Sequence, residues 1–90
     1  MRLFRQKRPK PASVVLLTRA GCTLCDTAEP VVVRAAAEAG VPLEVRDVDA
    51  DPADREKWSD MVPVVLLDGE QHAFWRVDER RLRRALHLKP

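Results

Sequence analysis

The two cysteines of this chain, Cys22 and Cys25, stand two residues apart in the stretch Arg19-Ala20-Gly21-Cys22-Thr23-Leu24-Cys25-Asp26. A Cys-x-x-Cys pair has two common chemical meanings, half of a zinc site or a redox dithiol. Zinc needs four ligands, and the other candidates are scattered acids and two histidines, His72 and His87, fifteen residues apart. That spacing is not a zinc pattern, so no metal site is assigned. A redox dithiol needs less. A thiolate, not a thiol, attacks a disulfide, and the unpaired NH groups and dipole at a helix N-terminus stabilise an anionic sulfur there. At i and i+3 on a helix two sulfurs share a face, so Cys25 can attack a mixed disulfide formed on Cys22. Cys22 is therefore expected to be the nucleophile, and Cys25 the more buried, resolving thiol. Arg19 would add a nearby positive charge, and Gly21 would let the backbone turn tightly without blocking an incoming sulfur.

The elements that must position this motif can be read on either side of it. Val14-Val15-Leu16-Leu17-Thr18 is a continuous β-branched and aliphatic run, the pattern of a strand covered on both faces. After Gly21 the apolar period becomes helical through Ala28, Val31, Val32, Ala35, Ala36 and Ala39, with Gly40 as the stop. This predicts a helix over 23–39, kinked at Pro30, which cannot donate to the carbonyl of Asp26. Alternation predicts a second strand over 41–48, nearer an edge. Asp51-Pro52 predicts a short helix over 52–58, broken by Ser59-Asp60. Residues 62–67 predict a third strand, joined through Asp68-Gly69 to an antiparallel fourth over 71–77. Asp78 would cap a last helix striped by Leu82, Ala85 and Leu86, with Val77 and Leu82 as a staple. The order β-α-β-α-β-β-α describes an α/β protein with a four-stranded mixed sheet and helices on both faces, a thioredoxin-like layout.

Ninety residues make one domain. Five of the sixteen basic residues fall in the first ten positions, so residues 1–12 read as a basic, disordered tail and 13–90 as the domain. The arginines of the last helix read as its solvated face. Neither feature gives much reason to expect a nucleic-acid partner. The residues from Lys7 to Pro11 interrupt the place of a signal-peptide core, and no stretch approaches the roughly 20 apolar residues that span a bilayer. With both cysteines in one motif, no disulfide framework remains. A cytoplasmic protein is the expectation.

Three local features make the chain similar to the glutaredoxin-like branch of the thioredoxin superfamily over nearly all of 13–88. They are Leu16-Leu17-Thr18-Arg19-Ala20-Gly21-Cys22-Thr23-Leu24-Cys25, then Pro30 eight residues beyond Cys22, and Met61-Val62-Pro63 leading into the third strand. Short bacterial glutaredoxin-like proteins look nearest. The resemblance implies a cis Pro63 facing Cys22, with the Val62 backbone free to pair with a substrate cysteine. It also implies substrate contact at Arg19, Gly21, Thr23 and Leu24. Glutaredoxins carry a Gly-Gly-x-Asp stretch for the glutathione carboxylate, where this chain has Trp75-Arg76-Val77-Asp78. The function implied is a thiol-disulfide oxidoreductase acting as a monomer on a disulfide-containing protein or a glutathione mixed disulfide. Glutathione is a candidate co-substrate, with no cofactor bound. The alternatives are a non-catalytic thioredoxin-fold binding module, or an iron-sulfur carrier in which Cys22 of two chains and added thiols hold a cluster.

Overall fold

The computed structural model describes residues 9–90. The first eight positions of the basic segment 1–12 lie outside the described residues. Within the rest of that segment Pro11 is buried, Lys10 Nζ donates to the Ala39 carbonyl at 2.7 Å, and the amides of Ala12 and Ser13 donate to one carboxylate oxygen of Asp68.

The elements follow as β1 (Val14–Thr18), α1 (Thr23–Ala39), β2 (Leu43–Asp47), α2 (Pro52–Trp58), β3 (Val64–Leu67), β4 (Glu70–Phe74) and α3 (Glu79–Ala85), with single 3-10 turns on either side of α2. The sheet order is β2-β1-β3-β4. β1 runs parallel to β2 and antiparallel to β3, and β3 pairs antiparallel with β4. β1 owes its central place to its lack of a polar face, because its alternate side chains enter two separate cores. Val14 and Leu16 join Val65 of β3 beneath α1 and α3. Leu17 joins Val64 and Leu66 with Val48 and Trp58, on the α2 side.

α1 follows from its pattern: Ala28, Val32, Ala35, Ala36 and Ala39 are buried, and Gly40 caps the end at φ 70°. It runs on through Pro30, which is exposed. Asp51 caps α2 by accepting from the amides of Ala53 and Asp54, and Asp78 caps α3 by accepting from that of Arg81. Arg83 of α3 clasps Glu38 of α1 at 2.7 and 3.0 Å. Asp68 and Gly69 have φ of 52° and 83°, the two left-handed residues that a tight type I′ hairpin demands.

Three strands differ in their bounds from the sequence pattern: β2 is Leu43–Asp47 against 41–48, β3 is Val64–Leu67 against 62–67, since Pro63 has no amide hydrogen to give a ladder, and β4 is Glu70–Phe74 against 71–77. β2 begins at Leu43 rather than 41, because the Val41 amide is taken by the Ala36 carbonyl at the exit of α1. β4 ends at Phe74 rather than 77, because Trp75 leaves the extended region with φ 65°.

The outer strands are both modified. In β4, Val65 faces Ala73 and Leu66 faces Gln71, so His72 is one residue too many and makes a bulge. Arg81 donates to its carbonyl at 2.6 Å. On β2, the Arg46 guanidinium lies between Glu44 and Asp54, at 3.2 and 3.1 Å. Leu16 is fully buried where β1 meets α1. Leu16→Ala should therefore lower unfolding free energy by about 2 to 5 kcal/mol in a urea titration, and a loss well under 1 kcal/mol would contradict this core assignment.

Candidate active site

The pairing of Leu17 with Val64 sets the end of β1 beside the start of β3, and the pairing of Val64 with Phe74 brings the exit of β4 to the same end. Three loops converge there. The first carries the cysteines. Gly21 takes φ 77°, and a Cβ at that position would meet nothing within 4 Å, so the need for glycine is conformational rather than one of space. The turn makes Cys22 the N-cap of α1, with φ −91° and ψ 111°. Its amide donates to the Arg19 carbonyl at 3.2 Å and its carbonyl accepts from Asp26 at 3.1 Å. Its Sγ accepts the amide hydrogen of Cys25 at 3.1 Å. A sulfur in the capping position takes the role of the usual cap oxygen, and it does so best as an anion.

The two thiols, both free, sit in different surroundings. Cys22 is half-buried, whereas Cys25 is 2% exposed. Burial, followed by the hydrogen bond to Cys22, pushes the Cys25 thiol up to about 11. Burial is the larger of the two causes and does not depend on the state of Cys22. Thr23 and Leu24, between the two cysteines, are exposed.

Val62 and Pro63, joined by a cis peptide bond, form the second loop. Pro63 is buried and Val62 half-buried.

Arg19 is engaged elsewhere than at the Cys22 sulfur. Its guanidinium makes a two-pronged bond to Asp49 at 2.8 and 2.9 Å and reaches the carbonyl and hydroxyl of Ser59 at 3.0 and 2.7 Å. Asp49 is held below the usual carboxylate range by this bond, and the Arg19 guanidinium is raised by it. What Arg19 gives the motif directly is its backbone carbonyl. Its side chain ties the cysteine loop to the turns around α2, three residues before Val62.

The third loop contains residues that the sequence pattern did not single out. The Trp75 amide donates to the carbonyls of Pro63 and Met61 at 2.9 and 3.2 Å, and its indole NH donates to Asp60 at 2.8 Å. Its ring meets Phe74 edge to face, with centroids 5.1 Å apart. These bonds offset the roughly 1 to 2 kcal/mol that a left-handed residue with a Cβ costs. Between this loop and α1 lies a groove of about 130 Å³, lined by Leu24, Thr27, Ala28 and Val31 on one side and Trp75, Arg76 and Val77 on the other. The signal available in the sequence was an aromatic and a cation at the place of a Gly-Gly pair. A larger cavity, about 1150 Å³, lies toward the hairpin end of the sheet and includes His72 and His87. It shares no residue with the cysteine loop, and His72 is held below the usual imidazole range mainly by burial.

A mixed four-stranded sheet covered on both faces, with a Cys-x-x-Cys pair at the head of its first helix, defines a thioredoxin-like protein. Solved structures agree with that class. The structural-genomics target XcR50 from X. campestris superposes with a TM-score of 0.61 at 32% identity, over 86% of this chain and 99% of that one. A mutant thioredoxin from Halobacterium salinarum does so at 0.63 and 25%, over 87% and 74%. Within the class, the chain belongs to the glutaredoxin-like domain family (DUF836), whose model matches residues 13–87. An uncharacterized protein of Mycobacterium tuberculosis is 43% identical over 75 residues, 78% of this chain and 77% of that protein. The fold and the Cys22–Cys25 pair support a redox-type role.

Alkylation with iodoacetamide, followed by mass spectrometry, should modify Cys22 alone at pH 8. At that pH about one Cys25 in a thousand is thiolate, and its labelling should rise only toward pH 11. Comparable labelling of both at pH 8 would refute the asymmetry. Arg19→Ala should change the Cys22 alkylation rate by less than about threefold, since the charge it removes is already paired. The same variant should become sensitive to proteolysis between positions 47 and 62.

Proposed function

We propose that this protein is a small thiol-disulfide oxidoreductase that reduces protein or mixed disulfides in the cytoplasm, acting as a monomer. The observation that carries this reading is the contrast between the two sulfurs. Cys22 is reachable and hydrogen-bonded at a helix start, and Cys25 is dry and protonated behind it.

The Cys22 thiolate attacks one sulfur of a substrate disulfide. A bond forms between Cys22 Sγ and that sulfur, the substrate's own S–S bond breaks, and the departing thiolate takes a proton from solvent. The Cys25 thiol then gives up its proton and its sulfur attacks Cys22 Sγ. The Cys22–Cys25 disulfide forms as the substrate leaves as a second thiol. Two electrons pass to the substrate, and an external thiol reductant, either a protein dithiol or glutathione as co-substrate, must return them.

In this reading the exposed backbone around Gly21, Thr23 and Leu24 and the Val62–Pro63 wall receive the substrate. Arg19 is a positioning residue that holds the Pro63 loop through Ser59. No bound cofactor takes part in either step.

Cys22→Ser should abolish reduction of a disulfide peptide. Cys25→Ser should leave a stable mixed disulfide on Cys22, visible as a mass adduct on non-reducing analysis. Equal loss from both variants with no adduct would overturn the assigned roles. Supplying glutathione as the only donor for a glutathionylated peptide separates the two regeneration routes: turnover supports glutathione as co-substrate, and its absence with an intact adduct points to a protein dithiol.

A further inference from the structure

We propose that the groove between Leu24 and the Trp75-Arg76 pair selects protein substrates, accepting an apolar side chain next to the attacked cysteine and a carboxylate beyond it. The proposal rests on the dithiol reading above and specifies its substrate.

Neither cysteine lines the groove, but its two walls are each tied to the site. Leu24 lies between the two cysteines, and Trp75 is bonded through its amide and indole to the Pro63 loop. A side chain seated there therefore belongs to a residue near the sulfur bonded to Cys22. At about 130 Å³ the space suits one aliphatic side chain and not a whole tripeptide.

The walls bring exposed apolar side chains together. Trp75 is 53% and Leu24 41% exposed, with Phe74 at 38% beside them. Large apolar side chains left in water around a shallow concavity mark a contact site. Trp75 is also fixed in advance, since its amide, its indole NH and its ring all have partners, so docking orders little that is not already ordered.

The charge is equally specific. Arg76 is the one charged residue lining the groove. Arg19, Arg34, Arg46 and Arg83 are each paired with a carboxylate, whereas the Arg76 guanidinium, like those of Arg80 and Arg84 on α3, has no ion pair or hydrogen bond among the described residues, and of these three it alone lines the groove. A carboxylate on the partner would complete it. In the resembled family the same stretch is Gly-Gly, with no side chain to offer; here it presents an aromatic wall and a cation, which favours a polypeptide.

The test uses the full chain and short peptides whose cysteine is disulfide-linked to 2-mercaptoethanol. The sequences after cysteine are Leu-Glu, Leu-Lys and Gly-Glu, with glutathione linked in the same way as a fourth substrate. The wild type should react with the Leu-Glu peptide about fivefold faster than with Leu-Lys and about tenfold faster than with Gly-Glu. Arg76→Glu should reverse the first ratio and Arg76→Lys should keep it. Arg84→Glu, the same change of charge in the other cavity, should also keep it. Trp75→Ala, or Leu24→Ser if the tryptophan variant fails to fold, should erase the second ratio.

Rates within twofold across the peptides, or a preference for the glutathione disulfide, would overturn the proposal while leaving the dithiol chemistry standing. In the Cys25→Ser background, where resolution is blocked, no adduct on Cys22 with any of the four would remove the dithiol reading, and this proposal with it.

Discussion

The hydrogen bond from the Cys25 amide to the Cys22 sulfur, 3.1 Å long, is the contact on which the site depends. It exists only because Gly21 turns the chain in the left-handed region and delivers Cys22 to the capping position of α1. It ties the reactive sulfur to the first turn of the helix, and the same turn carries Cys25 inward. One helix start thus creates two thiols in different surroundings, one half-exposed at the cap and the other buried and resisting charge. Everything else in the fold keeps that helix start where it is. The two-sided burial of β1 anchors one end, and the Arg19 link to Asp49 and Ser59 steadies the loops around it.

The sequence held most of the scaffold in plain view. Helix and strand periods are local properties, and the run from Val14 to Thr18, the caps at Asp51 and Asp78 and the stop at Gly40 all follow from neighbouring residues. The parallel β1–β2 pair and the β3–β4 hairpin also followed, from the βαβ crossover and the Asp68-Gly69 turn. The cysteine pair was legible for the same reason: its chemistry is carried by spacing.

What escaped the sequence depends on contacts between distant residues. Arg19 looks like a charge offered to Cys22 because the two are near in the chain, yet Asp49 and Ser59, 30 and 40 residues further on, claim it. Trp75 looks like a strand residue by propensity. Its left-handed backbone becomes intelligible only with Pro63, Met61 and Asp60 beside it. The groove it walls has no local signature, since one side comes from α1 and the other from the segment after β4.

The treatment of the two outer strands bears on how such a protein survives among others. A sheet whose margins are bare invites further strands from any unfolded neighbour, and the result is irreversible clumping. Here one margin is interrupted by the His72 bulge, with Arg81 occupying its carbonyl, and the other carries an arginine braced by two acids. Backbone stickiness is thereby suppressed along both flanks.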